Sequence, residues 1–539
     1  MTANDEIDIA RDLIKRAKFN DAEILLKAIT DSQKNPEAQQ LLGVVAIQTS
    51  RVDEAIDYFL KAAIDLPEDG YLQNNLAKAY EALGSLGQAK QAFKRAAELQ
   101  TELADPLNHL GLLYLKEGKL GQAETALLAA ISRDPNYTEA YYNLGVLFEK
   151  LGRLPEARQC YESAVKIKPS YIQAIHNLGT VLDDLGKHKV AEGFYRQGIL
   201  TSPKTPEFYC SLGLCLRQQG KYLEAIDEFL KATKIAPNFY VNKWNLGFLQ
   251  LAMSEYKEGW ANYRFRHTVD REKFFIPEDR LSSKLFGQTI HVAAEQGLGD
   301  QIFFSRFLFE LKDRGAIVKF QPDPKIESLF ERVDGIKVEE ITKPNITIAD
   351  LPYLLGTERI VPSVTMKPKK NFRNDMQARL IECGSPPYIG ITYRAGGVAK
   401  TTLSKKAPIE EVASILSGIS ATIICVQRDP KPDELKKFSS LLGREVFDFS
   451  DINENLEKAL ALMTLLDDYI GVSNTNMHLR ATTKSLARVL VTHPGEFRWL
   501  VAGETSPWFP NFILYRQEVD ATWDRAFSRL RLDLRNEYG

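Results

Sequence analysis

Small residues recur along the first half of this chain at a fixed step of 34: Gly43, Ala77, Gly111, Gly145, Gly179, Gly213 and Gly247. A second row with the same step runs through Ala55, Ala89, Ala123, Ala157, Ala191 and Ala225 and ends on Gly259. A third, of large residues, runs through Phe59, Phe93, Leu127, Tyr161, Tyr195, Phe229 and Tyr263. Pro67, Pro135, Pro169, Pro203 and Pro237 close many of the units. Rows held in one register mean one short unit copied many times. Such a unit cannot bury its apolar face alone and must stack on its copies.

The rows suit two antiparallel helices per unit. A small residue on each helix lets the backbones approach, and the large residue is expected to fill the gap between neighbouring pairs. Proline cannot continue a helix and marks the boundary between units. The step is that of a tetratricopeptide repeat. Seven repeats are read over residues 36–270, and residues 1–35, with FNDAEILLKAI, as a degenerate capping repeat. The concave face of such an array is expected to hold a protein or peptide. Asn74, Asn108, Asn143, Asn177 and Asn245 form a row whose amides donate and accept. Solvated polar positions, or a dimerisation arm with a concentration-dependent mass, are the alternative uses. The last unit, EYKEGWANYRFRH, departs from the rows and predicts a final helix docked on the next domain, burying Trp260.

With 539 residues the chain exceeds one core. Its 69 basic and 71 acidic residues give a net charge of −2, which argues against nucleic acid as a partner. The start, MTANDEIDIARDLIKR, has no signal-peptide core, and no stretch is apolar enough to span a bilayer, so a cytoplasmic location is expected. Cys160, Cys210, Cys215, Cys383 and Cys425 are scattered without a CxxC pair and read as inert buried thiols.

Beyond Leu285 the period changes. IHVAAEQGLGDQIFFSRFLFELKDRGAIVKFQ reads strand, glycine turn, helix, strand: a β-α-β unit, hence parallel pairing. YIGITYRAGG, ATIICVQRD, VFDF, YIGVS and ARVLVTH supply further strands separated by helices, a doubly wound arrangement. Ligands of such sheets sit at the carboxyl ends of strands. Arg394, Lys405, Gln427 and the Ser473–His478 turn fall there.

Taken in order, EQGLGDQIFFSRF, GITYRAGG, SKKAPI, VQRDP, IGVSNTNMHLRA, FRWL, SPWFP and YRQ, followed by Trp523, resemble the GT-B glycosyltransferases. The likeness is to tetratricopeptide-linked proteins with a domain similar to heptosyltransferases and to protein O-linked N-acetylglucosaminyltransferases. The resemblance implies an α-solenoid followed by a Rossmann-type GT-B domain. Residues 271–380 would form a linker and the acceptor-side half, and residues 381–539 the nucleotide-donor half. It implies an inverting transferase with a nucleotide-sugar co-substrate, needing neither metal nor cofactor. Asp300 would be the general base, with His478 as a second catalytic residue; Arg394 and Lys405 or Lys406 would neutralise the leaving diphosphate. Ser473, Asn474, Thr475 and Asn476 would meet the donor phosphates, and Gln427 joins this group by its place after a strand. Asn474 stands where the relatives carry aspartate, and Arg480 where they carry a small residue. These departures, and a short first half, leave a non-catalytic scaffold as the alternative. Trp499, Trp508 and Trp523 are expected in the core.

Overall fold

The computed structural model describes residues 3–32, 34–266, 280–341, 346–395 and 405–539. The glycines of YRAGG and the start of TTLSKK lie outside the described residues. The chain divides into two compact units, Met1–Pro203 and Lys204–Gly539. This division falls inside the repeat array, so the last two helix pairs belong with the α/β region.

In the first unit the helix pairs are Ala3–Lys15 with Phe19–Ser32, Pro36–Gln48 with Val52–Asp65, and Gly70–Ala82 with Leu86–Leu99. Asp105–Lys116 with Leu120–Arg133, Thr138–Lys150 with Leu154–Ile167, and Ile172–Asp184 with His188–Thr201 follow. The second unit opens with Pro206–Gln218 and Tyr222–Ile235, then Tyr240–Ala252 and Tyr256–Tyr263. The N-terminal pair buries Ile7, Ala22 and Leu26 against Ala38 and Leu42.

The rows have a direct physical cause. A Cβ placed on Gly43 would lie 2.4 Å from the Phe59 ring, and one on Gly145, Gly179 or Gly213 would lie 2.6 Å from the ring of Tyr161, Tyr195 or Phe229. The large residue therefore closes on the small residue of its own pair. It is not confined to the gap between pairs, although Phe59 also shares a cluster with Leu72 and Leu76 of the next one. The alanine row is fully buried from Ala55 to Ala225.

Among the described residues the α/β region holds two sheets. β1 (Thr289–Ala293), β2 (Ile317–Gln321), β3 (Ile336–Val338) and β4 (Ile346–Thr347) form an all-parallel sheet in the order β3-β2-β1-β4. The second contains β5 (Tyr388–Thr392), β6 (Thr422–Cys425), β7 (Val446–Asp448), β8 (Asp468–Val472), β9 (Ala487–Val491), β10 (Thr505–Ser506) and β11 (Phe509–Arg516). Its order is β10-β11-β9-β8-β5-β6-β7, parallel except for the β10–β11 pair. The near-continuous apolar runs of β5, β8 and β9 follow from burial on both faces. The helix Lys370–Cys383 runs across the expected boundary at 380 and packs on Leu456–Leu465, so that boundary falls within an element. Arg379 ties it to the end of β7 and the turn that follows, donating to Asp448 O at 2.8 Å and Asp451 Oδ2 at 2.9 Å.

Trp260 is buried among Tyr263, Phe304, Phe307, Phe497 and Trp508. The helix end is secured by Arg266, which meets Glu295 and, at 2.6 Å, Asp350 in a dry ion triad. Trp499, Trp508 and Trp523 are buried. All five cysteines are free thiols; burial pushes Cys160 and Cys425 up to about 12 and Cys210 to about 11. No described helix is long and apolar enough to cross a membrane.

Candidate functional site

In each sheet the strand order reverses once. In the first this happens between β1 and β4, in the second between β5 and β8. The carboxyl ends of strands at such a reversal diverge and leave a crevice. The two reversals contribute to one cavity of about 240 Å³. Gly297–Asp300 come to it from beyond β1, Thr392 and Arg394 from the end of β5, and Ser473–Asn476 from beyond β8. Lys405, Arg428, Asn453, His478, Glu496 and Arg498 complete most of its polar lining.

Asp300 lies on the short helix Leu298–Phe304, and its carboxylate accepts from Arg498 Nη2. The Arg498 guanidinium also lies over the Phe303 and Phe497 rings, at 4.6 and 4.9 Å. Burial opposes its charge, but Asp300 and Glu496 outweigh burial, so it holds its proton more firmly than usual.

The opposite wall is the start of the helix Thr475–Thr482. Asn474 caps it, its Oδ1 accepting from Met477 N at 3.0 Å, which is what an asparagine before a helix does well. The charge lost relative to aspartate therefore leaves the cap geometry intact. The amides of Thr475 and Asn476 have no acceptor among the described residues, and both residues line the cavity, so this helix start suits an anion. Asn476 donates to Asn453 Oδ1 at 3.1 Å, and its own Oδ1 is buried without a partner among the described residues. Arg480, unexpected at its position, is fully buried. It donates to the carbonyls of Leu466 and Leu486 at 2.8 Å, of Asp467 at 3.1 Å, and of Met463. Burial lowers its guanidinium to about 10, so it remains charged at neutral pH.

His478 is 4% exposed, wedged between the rings of Phe303 and Phe509 and against Gly299. A Cβ on Gly299 would lie 2.7 Å from its Cδ2, so glycine at that position is what admits the ring. Burial first, then Arg498, drives its pKa well below the ordinary value; the ring is neutral at pH 7, and its Nδ1 has no partner among the described residues.

Glu496 gathers the cations. Its carboxylate accepts from Lys405 Nζ, from Ser473 Oγ at 2.6 Å and from Trp499 Nε1 at 3.2 Å, and lies 3.7 Å from Arg498. Burial would raise its pKa, but Lys405 and Arg498 overcome burial and hold it far below the usual carboxylate range. Arg394 lines the cavity while bonding Asp429 O at 2.6 Å and Glu434 at 3.1 Å.

Asp300, His478, Arg394, Lys405, Ser473, Asn474, Thr475 and Asn476 thus converge, whereas two expected residues do not. Gln427 is fully buried and spends its amide on backbone, accepting from Tyr393 N and Arg394 N and donating to Arg428 O. It shapes the loop after β6 instead of lining the cavity. Lys406 pairs its backbone with Arg394 and lines a separate cavity with Tyr393 and Trp523. Glu496, Arg498, Arg428, Asn453 and Thr392 went unassigned in the sequence. Thr392, Arg428 and Arg498 lay in recognised stretches, GITYRAGG, VQRDP and FRWL, whereas Glu496 and Asn453 lay in none.

The asparagines of the array are engaged within it. Asn74 donates to Asp105 at 2.8 Å, Asn143 to Asn108 at 2.8 Å, Asn108 to Tyr137 at 3.4 Å and Asn177 to Tyr161 at 3.2 Å. In the second unit Asn245 donates to Cys210 Sγ at 3.8 Å. Asn74 and Asn108 are 6% and 4% exposed. These amides connect neighbouring repeats, each giving one of its two N–H donors to that contact.

A family profile described as the cilia and flagella-associated protein 70 C-terminal domain matches residues 7–244, within the repeat array. Protein FlbA of Caulobacter vibrioides is 22% identical over 321 residues, covering 53% of this chain and 53% of FlbA. The chain thus spans about half the length of the curated relative it matches. The crystal structure of YrrB, described as a TPR protein with an unusual peptide-binding site, is 20% identical, covering 34% of this chain and 95% of that one at a TM-score of 0.32. MamA is 24% identical, covering 31% and 92%, with a TM-score of 0.29. The first half is a tetratricopeptide-like array, and the second is an α/β region of two sheets.

Proposed function

We propose that the α/β region is an inverting, nucleotide-sugar-dependent transferase of the GT-B type, and that the repeat array recruits its protein or peptide acceptor. One observation carries this reading: a carboxylate on one wall of the cavity faces a capped helix start and lysine on the other. The lining holds four cations (Arg394, Lys405, Arg428, Arg498) against two carboxylates (Asp300, Glu496), a balance suited to a diphosphate.

In this reading the free amides of Thr475 and Asn476, with Lys405 and Arg394, hold the diphosphate. They stabilise the charge that develops as its oxygen leaves the sugar's anomeric carbon with the bonding electrons. The acceptor hydroxyl approaches from the opposite face. Its oxygen forms the new bond to the anomeric carbon, and its proton passes to the Asp300 carboxylate, which Arg498 orients. His478, buried and neutral with its Nδ1 unbonded among the described residues, is the second candidate for that proton. Its neutral ring packs against Gly299 and fixes the turn there.

A thermal-shift series with nucleoside diphosphates and their sugars tests the donor site. A ligand at 100-fold over its Kd adds about 2.7 kcal/mol, so one nucleotide should raise the melting temperature selectively. With the donor known, Lys405→Ala and Asp300→Asn should each lower transfer by about 10²-fold or more. Undiminished transfer by both variants would sink the assignment. The internal pairing of the cavity's cations favours a second reading, a scaffold that binds a nucleotide without turnover. In that case a selective shift would appear with no transfer to any acceptor.

A further inference from the structure

Lys405 and Ser473 come from different loops of the second sheet, and both reach toward the cavity. Neither is free: the carboxylate of Glu496 holds Lys405 Nζ with one oxygen and Ser473 Oγ, at 2.6 Å, with the other. A carboxylate bound to an ammonium and a hydroxyl beside a helix start is the chemistry by which a phosphate would bind there. Glu496 also has somewhere to go. Trp499 Nε1 is 3.2 Å away and Arg498 Nη1 3.7 Å, so on leaving Lys405 and Ser473 it keeps a hydrogen-bond donor and a cation.

We propose that Glu496 is an internal ligand of this anion site, displaced by the phosphate of the true ligand, and that it sets which anions the cavity accepts. An incoming carboxylate would exchange like for like at Lys405 and Ser473 and gain nothing. A phosphoryl group brings more charge and a third acceptor oxygen. Its neighbouring phosphate reaches the amides of Thr475 and Asn476, which Glu496 does not use. The cavity is thereby closed to organic acids and open to diphosphates. This rests on the diphosphate reading of the cavity, but not on transfer taking place.

The test is calorimetric titration of the full chain with inorganic pyrophosphate and with malonate, a dicarboxylate of similar span. Glu496→Gln keeps size and one acceptor oxygen while removing the competing charge. It should bind pyrophosphate roughly tenfold or more tighter than the natural chain, one neutralised ion pair being worth at least that in a partly buried site. It should also acquire measurable malonate binding that the natural chain lacks. Should Glu496→Gln fold poorly, Glu496→Asp, whose shorter arm loosens the grip on Lys405, should show a smaller gain of the same sign. Lys405→Ala should cost more pyrophosphate affinity in the Glu496→Gln background than in the natural chain. Unchanged or weaker pyrophosphate binding in the glutamine variant overturns the proposal, leaving Glu496 as a brace for Lys405. Tighter pyrophosphate binding without sugar transfer leaves it standing while the transferase reading falls. No pyrophosphate or nucleotide binding by either form removes both.

Discussion

Trp260→Ala should remove about 3–5 kcal/mol of stability, the usual cost of deleting a large buried aromatic side chain. The residue is 2% exposed. Its ring centre lies 5.7 Å from those of Tyr263 and Phe497 and 6.1 Å from those of Phe304, Phe307 and Trp508. Those partners come from three sources: the last repeat, the helices after β1, and the segment around β10. A cavity here loosens all three, and the edge-to-face arrangement adds to the area lost. The indole N–H has no partner among the described residues, so it contributes no bond that a replacement must restore. Trp260→Phe should therefore cost less than half as much. Urea unfolding of the full chain, followed by near-ultraviolet circular dichroism, reads both. A change under about 1 kcal/mol for the alanine variant would mean that the cluster is not the joint described.

Gly247→Ala should cost about 3 kcal/mol, the upper range for overpacking, although it swaps glycine for the best helix former. The added methyl would lie 2.5 Å from Tyr263 N and 2.7 Å from Asn262 C, atoms of the opposing backbone that no rotamer change can move. Gly145→Ala is the control. Its methyl would lie 2.6 Å from a ring carbon of Tyr161, and a ring can tilt away. The chain already contains this variant: Ala77 occupies the same place in the small-residue row opposite Phe93, and both are fully buried. With about 1 kcal/mol returned by helix propensity, Gly145→Ala should be close to neutral. Comparable losses from the two substitutions, measured as unfolding midpoints, would contradict a closer approach of the backbones in the last pair.

The repeat array was legible because its cause is local. Gly43 and Phe59 are 16 residues apart, and the same encounter recurs every 34, so the sequence displays it repeatedly. Strand ends were legible too: Ser473–Asn476 and Gly297–Asp300 interrupt apolar runs with the small and polar residues that helix starts require. The cavity's other half was not. Arg498 meets Asp300 across 198 residues, and Glu496 meets Lys405 across 91, with nothing in either neighbourhood naming the partner. Lys405 and Lys406 show a second limit. In an extended segment consecutive side chains face opposite ways, and only the bridge between Arg394 and Lys406 settles which lysine enters the cavity. Gln427 sat in the right place but faced its own backbone. The contacts that the asparagine row makes between repeats were not legible, because sequence shows a residue type and not its neighbour. Asn108 and Asn143, 35 positions apart, serve each other.

The four carbonyls that hold Arg480 bear on how fast a ligand can be captured. Its guanidinium pins the helix Thr475–Thr482 to the segments around residues 463–467 and 486, so the amides at its start are aimed before any ligand arrives. Their ordering is completed when the chain folds, and encounter does not wait for this wall to rearrange. Association should then fall in the ordinary range for an unhindered site, about 10⁵–10⁷ M⁻¹s⁻¹. Good and poor ligands would be captured at similar rates and told apart by how long they stay.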